Sequence, residues 1–310
     1  MNNLSIGTDI DRAIEVIRNG GLVGFPTETV YGLAADSSNV NAVNKIFAVK
    51  GRPNNHPLIV HVGSIEFART CSSEWTVSAE TLGNTYWPGP LTVVVKKTLG
   101  VADVVTGGHS TVALRVPGHV MALELLNRMN GGLAAPSANK FGRVSPTTAQ
   151  HVWDDLGTSV DYILDGGPCV VGIESTIVDC SIPTPVVLRP GGISTEDIQT
   201  VIAIGLEDPG VSRAPGMLPA HYAPNCQVIL VDSIAEANQL LVNRKSNSSR
   251  VLDASTEPVT FASTMYAQLR QCDVDGVQFL AVVQPSPLGI GLAIRDRLTK
   301  AAHGSKNQSH

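Results

Sequence analysis

Three short stretches of this chain gather residue types that hold anions. Lys50-Gly51-Arg52-Pro53 places two cations on either side of a glycine. Arginine offers a planar fork of donors and lysine a mobile point charge, so the pair could clamp a phosphate. The same charges at a helix C-terminus would also steady its negative pole by about 0.3–1 kcal/mol. In Ala134-Ala135-Pro136-Ser137-Ala138-Asn139-Lys140-Phe141-Gly142-Arg143-Val144-Ser145-Pro146, the apolar run Gly132–Ala135 leads into hydroxyl, amide and cationic donors. That crowding suits an anion-holding loop after a strand, although a plain Ser/Asn turn uses the same letters. The third set is Gly172-Ile173-Glu174-Ser175-Thr176 with Val187-Leu188-Arg189-Pro190-Gly191-Gly192. Its paired glycines would let the backbone approach a ligand closely. Arg115 stands inside the apolar strand pattern Ala113-Leu114-Arg115-Val116-Pro117. A buried arginine needs a partner: a substrate carboxylate is one, and an internal Asp or Glu is the commoner one.

Several chemistries are excluded. There is no G-x-x-x-x-G-K-[ST], nor any Gly-Lys dipeptide, which removes a Walker-type phosphate loop. No G-x-S-x-G elbow occurs, and no H-E-x-x-H. His56 and His61 are separated by a turn and a strand and do not suit a two-His metal site; no metal ligands are assigned. The cysteines at 71, 169, 180, 226 and 272 are odd in number and never form C-x-x-C, so neither a disulfide framework nor a zinc site is supported. Gly289-Ile290-Gly291 before a helix is a weak dinucleotide signal and reads better as close packing.

The elements that must position these residues divide the chain in two. A helix is expected over 8–19, with Thr8 and Asp11 as an approximate capping box, and another over 39–49, with Val40, Val43, Ile46 and Phe47 on one face. Further helices are expected over 119–129 and 147–156, and β-branched runs predict strands at 22–25, 58–62, 91–96, 111–116, 162–164, 176–179 and 186–189. This mixture predicts an α/β domain around one twisted mixed sheet over residues 1–205. Residues 206–226 carry prolines at 209, 215, 219 and 224 and no apolar period, and read as a linker or lid. From 227 to 310 strands and helices alternate as β-α-β-α-β-α, the pattern of a small Rossmann-like parallel sheet.

At 310 residues, 43% hydrophobic and 16% charged, the chain has ample apolar surface for two cores and is not disordered. No run approaches the roughly 20 apolar residues of a bilayer span, and the first residues lack a secretory pattern, so a soluble cytoplasmic protein is expected. The net charge of −5 argues against non-specific coating of nucleic acid. All of it falls in residues 1–205, with 13 basic against 18 acidic residues, while 206–310 balance at 9 and 9. The cations of the first domain are therefore expected to concentrate at a site, with Lys50, Arg52, Arg115, Lys140, Arg143 and Arg189 as the candidates.

Together, Gly24-Phe25-Pro26-Thr27-Glu28-Thr29-Val30-Tyr31-Gly32-Leu33, Lys50-x-Arg52 and Ser137-x-Asn139 resemble the YrdC/Sua5 family. His221-Tyr222-Ala223-Pro224 and the ending Gly289-Ile290-Gly291-Leu292-Ala293-Ile294-Arg295-Asp296-Arg297-Leu298 resemble its longer, two-domain Sua5 branch. The resemblance implies a transferase of the nucleotidyltransferase class. It would join L-threonine, bicarbonate and ATP into threonylcarbamoyl-AMP with release of pyrophosphate, for the t6A modification of tRNA. It also implies a YrdC-like first domain followed by a smaller Rossmann-like Sua5 domain. The threonine pocket would fall on Thr29, His61, Arg115, the Ala135 backbone and Ser175. ATP would meet Lys50, Arg52, His56, Thr111, Ser137, Asn139, Ser145, Arg189 and Tyr222, with Mg²⁺ bridging phosphates; Lys50, Arg52 and Arg189 would carry catalysis. The product would pass to the tRNA threonylcarbamoyl transferase machinery, with no membrane and no stable nucleic-acid binding. The rival reading is a YrdC-type RNA-binding module, against which the acidic charge and the 5% aromatic content weigh.

Overall fold

The computed structural model describes residues 5–205, 221–242 and 248–306. The large sheet contains β1 (Ile6–Gly7), β2 (Val23–Phe25), β3 (Gly32–Asp36), β4 (Ile59–His61), β5 (Ser72–Glu74), β6 (Leu91–Lys97), β7 (Thr111–Arg115), β8 (Leu133–Ala134), β9 (Tyr162–Leu164), β10 (Thr176–Asp179) and β11 (Val186–Arg189). Their order is β1-β9-β2-β3-β8-β4-β7-β6-β10-β11, with β5 paired to β6. The sheet has both parallel pairs (β2 with β9, β4 with β7) and antiparallel ones (β2 with β3, β6 with β7), so it is mixed, as expected.

Both faces of this sheet are covered. Side chains alternate across a strand, so in β3 Leu33 and Ala35 join one core and Ala34 joins the other. The first core packs the helix Val40–Lys50 through Val43, Ile46 and Phe47. Val40 was expected on that face but stands at the first helical turn, 46% exposed. The second core packs the helices Ile10–Arg18 and Val120–Met129. The first of these is capped by Asp9, whose carboxylate accepts from Arg12 N, so the expected Thr8–Asp11 box does not form. Asn39 caps the helix Val40–Lys50, and Gly51 ends it at φ 64°, a conformation that costs a residue with a Cβ about 1 kcal/mol or more.

The remaining strands, β12 (Gln227–Val231), β13 (Ser249–Asp253) and β14 (Phe279–Val283), form a parallel sheet in the order β12-β14-β13. The helices Ile234–Val242, Pro258–Val274 and Ile290–Lys306 complete the expected alternation. Gly289-Ile290-Gly291 serves packing, since a Cβ on Gly291 would lie 2.0 Å from the Ser286 carbonyl. This second unit does not hang free. Phe261, Met265, Tyr266, Ala293 and Ile294 share one core with Val30, Val144 and Ile173 of the first unit and with Tyr222. At about 1.5–3 kcal/mol per buried large side chain, that seam is a substantial share of the fold's stability.

Candidate active site

The mixed topology brings the ends of distant strands to one edge. β4 and β7 run parallel, with His61 opposite Arg115 at their C-terminal ends. β10 and β11 are antiparallel, so Ser175, just before β10, meets Arg189 at the end of β11. A cleft at this edge is lined by Thr27, Thr29, Val30, Gly32, Arg52, Ile59, His61, Arg115, Ala135, Pro136, Ser137, Glu174, Ser175, Arg189, His221 and Tyr222. Of the residues expected in the site, Thr29, Arg52, His61, Arg115, Ala135, Ser137, Ser175, Arg189 and Tyr222 meet here. Lys50, His56, Thr111, Asn139 and Ser145 do not line it.

Arg115 has an internal carboxylate. Its Nη2 lies 2.7 Å from Glu28 Oε1, Nη1 donates to Thr29 Oγ1 at 2.8 Å and Nε to the Gly89 carbonyl at 3.2 Å. The orientation of Glu28 leaves both of its buried oxygens without an aligned hydrogen bond. Thr27 Oγ1 and Thr29 Oγ1 are 2.8 Å apart, and Thr27 donates to the Val30 carbonyl, fixing the turn that carries both hydroxyls. Beside them the buried His61 ring packs edge-on to Phe25, with Nδ1 unpartnered. Burial, helped by the charge of Arg115, pushes its pKa down to about 3, so the ring is neutral.

Arg189 donates through Nε and Nη2 to the Ser175 carbonyl, and its Nη2 lies 3.2 Å from Ser175 Oγ. Gly191 is essential to this arrangement. A Cβ there would sit 2.4 Å from the backbone of Glu174, Ser175 and Thr176. The glycine thus serves a protein–protein approach, whereas the sequence suggested an approach to a ligand. Arg52 is 9% exposed, donates to the Pro57 carbonyl at 3.0 Å and lies over the Phe141 ring. Its Nε has no partner, and burial with the like charge of Arg189 brings its pKa down to about 10.

Lys50 is used differently from a phosphate clamp. Its ammonium, 3% exposed with its residue, donates to the Ser137 carbonyl at 2.6 Å and to that of Asn139. Burial and Arg52 lower its pKa well below the usual lysine range. Asn139 turns inward, donating to the carbonyls of Lys140 and Arg143, and Ser145 donates to Glu174 Oε1 at 2.7 Å. These residues build the loop whose Ser137 faces the cleft. Neither Lys140 nor Arg143 adds its charge there: Lys140 is exposed and donates to the Val49 carbonyl, and Arg143 pairs with Asp273 of the second unit. His56 stands behind, 5.6 Å from the Phe141 ring. Thr111 begins β7, four residues and about 13 Å of strand from Arg115.

His221 and Tyr222 also line the cleft, while the proline-rich run 206–220 lies outside the described residues. Tyr222 holds φ 62°, a left-handed conformation costing about 1–2 kcal/mol. It is held by stacking on Tyr266 and by Arg297 over its ring. The free space beneath is about 50 Å³, far below the roughly 300–1,000 Å³ of occupied ligand pockets. Glu174, Glu28, Thr27 and Arg297 were within quoted motifs but received no role. The signal that could have found them is charge: an acid beside an apolar strand motif implies a buried cation to match it.

The family model for Sua5_yciO_yrdC, described as telomere recombination, matches residues 15–191. The model for the threonylcarbamoyl-AMP synthase C-terminal domain matches 193–303. The chain is 39% identical to the threonylcarbamoyl-AMP synthase of Pyrococcus abyssi, covering 92% of each chain. With the synthase of Bacillus subtilis it shares 38%, covering 95% of this chain and 93% of the relative. It superimposes on the crystal structure of P. abyssi Sua5 complexed with L-threonine at a TM-score of 0.89 and 37% identity, over 96% and 94% of the two chains.

Proposed function

The chain belongs to the Sua5/YrdC family, and on that premise we propose that the cleft makes threonylcarbamoyl-AMP from L-threonine, bicarbonate and ATP. The observation that carries this reading is the convergence of Thr29, His61, Arg115, Ala135 and Ser175 with Arg52, Ser137 and Arg189 in one cleft. The first five offer a guanidinium fork, hydroxyls and a neutral imidazole, which suit the carboxylate, amine and hydroxyl of a small amino acid. Arg52 and Arg189 offer guanidinium donors for phosphate oxygens.

The threonine amine attacks bicarbonate, with loss of water, or the CO₂ formed from it, with loss of a proton to solvent; the carbamate oxygen then attacks the α-phosphorus of ATP as pyrophosphate leaves. The product is a nucleotidyl adduct, so the reaction is nucleotidyl transfer. Nothing here needs a covalent protein nucleophile. The protein orients charged reactants and steadies the charge that builds on phosphate oxygens. Arg52 and Arg189 are placed for the latter, and Lys50 acts one step back by holding the Ser137–Asn139 carbonyls. His56, Thr111, Asn139, Ser145 and Tyr222 remain assigned to the nucleotide side, by contact or by shaping the loop. Glu174, in the cleft lining, is taken by Arg297, and Glu28, which does not line the cleft, by Arg115. Among the described residues no group of three or more His, Cys, Asp and Glu could cage an ion. Mg²⁺ would enter with the triphosphate, as part of the substrate.

A carbamate hydrolyses readily, so the cover formed by His221 and Tyr222 is assigned to water exclusion and must open for ATP. The division into a catalytic domain over 1–205, a connector over 206–226 and a second domain over 227–310 belongs to the same proposal. Ile198, from the helix Thr195–Val201, packs into the first core and supports a boundary near 205. No helix among the described residues is long and apolar enough to cross a membrane. We place the enzyme in the cytoplasm, handing its product to the tRNA threonylcarbamoyl transferase machinery. Incubation with ATP, bicarbonate and radiolabelled threonine tests the assignment: a labelled adenylate and threonine-dependent pyrophosphate are expected. RNA binding at physiological salt without threonine-dependent ATP use would favour the RNA-binding module instead.

A further inference from the structure

Glu174 lies in the cleft lining of the first unit, yet its strongest partner comes from the second. Arg297, on the last helix and 1% exposed, donates through Nε to Glu174 Oε2 at 2.7 Å. Its Nη2 donates to the Pro190 carbonyl at 2.9 Å, next to Arg189, and its guanidinium lies 5.4 Å from the centre of the Tyr222 ring. Tyr266 of the second unit donates its hydroxyl to the same carboxylate, 2.9 Å from Oε2. The carboxylate in turn accepts from Ser145 Oγ at 2.7 Å. The loop is gripped a second time by Arg270, which donates to the carbonyls of Val144 and Ser145 and pairs with Asp155 at 2.7 Å.

We infer that Arg297 is a positioning residue of the active site, through which the second unit orients Glu174, Ser145 and Tyr222 beside the nucleotide-binding residues. Its Nη1 is held by the neighbouring Asp296, and its three contacts beyond its own helix reach the Ser145 loop through Glu174, the Arg189 strand end through Pro190, and the connector through Tyr222. A merely cohesive domain contact would need only the apolar seam, which Phe261, Met265 and Leu298 already provide. A buried arginine–carboxylate pair adds little cohesion over apolar packing, but it sets geometry when every donor and acceptor is engaged. The role of these residues in nucleotide binding rests on the function proposed above.

The groups facing Glu174 are Arg297 and Tyr266 from the second unit, Arg189 from β11, Ser145 from the loop, and His221 and Tyr222 from the connector. Burial pushes the carboxyl pKa up, but Arg297 and then Arg189 overcome this and hold it at about 2. Taking away Arg297 removes the larger opposing charge and leaves Arg189 and Ser145 against burial, so the pKa rises.

The test compares Arg297→Gln, Arg297→Lys, Tyr266→Phe and Arg297→Gln/Glu174→Gln with the wild type from pH 5.5 to 8.5. In Arg297→Gln, kcat for threonine-dependent pyrophosphate release is expected to fall about tenfold or more at the acid end and to recover as pH rises, while wild type shows no such limb. Arg297→Lys should restore part of the rate, and the double variant should lose the acid limb because its residue 174 no longer titrates. Proportional loss at every pH, or a limb that persists in the double variant, overturns the inference. If Arg297→Gln does not fold, Tyr266→Phe removes one hydroxyl from the same carboxylate; a wild-type rate and profile there overturn it too. Hydrogen exchange without substrate separates this from the reaction assignment. Faster exchange confined to residues 141–146, 172–176 and 221–223 in Arg297→Gln is expected whatever the enzyme makes, and unchanged exchange there overturns the inference. A wild type that forms no adenylate sinks only the proposed function.

Discussion

Arg115→Met keeps the length of the side chain and removes its charge from a place where three partners depend on it. In the folded chain the guanidinium is 2.7 Å from Glu28 and also serves Thr29 and the Gly89 carbonyl. The two ionic side chains are only 4% and 8% exposed. Removing the arginine strands Glu28 as a buried charge, which costs about 3–5 kcal/mol. That is a large part of the roughly 5–15 kcal/mol by which a domain is stable. Neutralising Glu28 as well, in Arg115→Met/Glu28→Gln, leaves a buried amide whose imperfect pairing costs only about 1–3 kcal/mol. The double variant should therefore be about 2 kcal/mol more stable than the single one. Urea unfolding at pH 7 reads this as a higher midpoint at constant slope. Calorimetric titration with L-threonine reads the second role. Losing a charge-assisted contact worth about 1.5–3 kcal/mol weakens threonine about tenfold or more, in both variants alike. A double variant no more stable than the single one would refute the buried-pair reasoning. Wild-type threonine affinity in the folded double variant would refute the carboxylate assignment.

Arg52→Ala should slow pyrophosphate release about tenfold or more with little change in the urea midpoint, because the side chain makes one hydrogen bond to protein; a wild-type rate removes it from catalysis. Lys50→Ala should lower both rate and stability, by about 1.5–3 kcal/mol for each charge-assisted bond lost; an unchanged midpoint would show that the ammonium does not hold the Ser137 loop. His61 and His221, pushed down to about 3 by burial, stay neutral in the folded chain while the unfolded chain takes up protons below about 6.5. Their contribution is complete above that pH and shrinks as pH falls toward 3. Glu174, held at about 2 by Arg297 and Arg189 against the upward push of burial, loses its contribution in the same direction, below its ordinary value of 4.5. The urea midpoint should fall from pH 6.5 to 4, less steeply in His61→Gln/His221→Gln; parallel curves would contradict neutral buried histidines.

Local pattern determined much of this protein. β-branched runs mark β9, β10 and β11 to the residue, because those strands are short and bounded by turns. The strand–helix alternation after residue 226 is regular enough to declare its parallel sheet. The motifs also contain most of the residues that line the cleft, because these lie in short contiguous stretches that can be read letter by letter. The partner of each charge was not legible, since pairing depends on distance through space. Glu28 precedes Arg115 by 87 positions, and Glu174 precedes Arg297 by 123, yet each pair meets within 2.7 Å. The same distinction decided the cations of the first domain. Sequence crowded Lys50, Lys140 and Arg143 near the site. The fold gives the first to backbone carbonyls, leaves the second in solvent and pairs the third with Asp273. Burial explains the difference: a charge withdrawn from water must find its counterpart nearby, and only the packed chain settles which group that is.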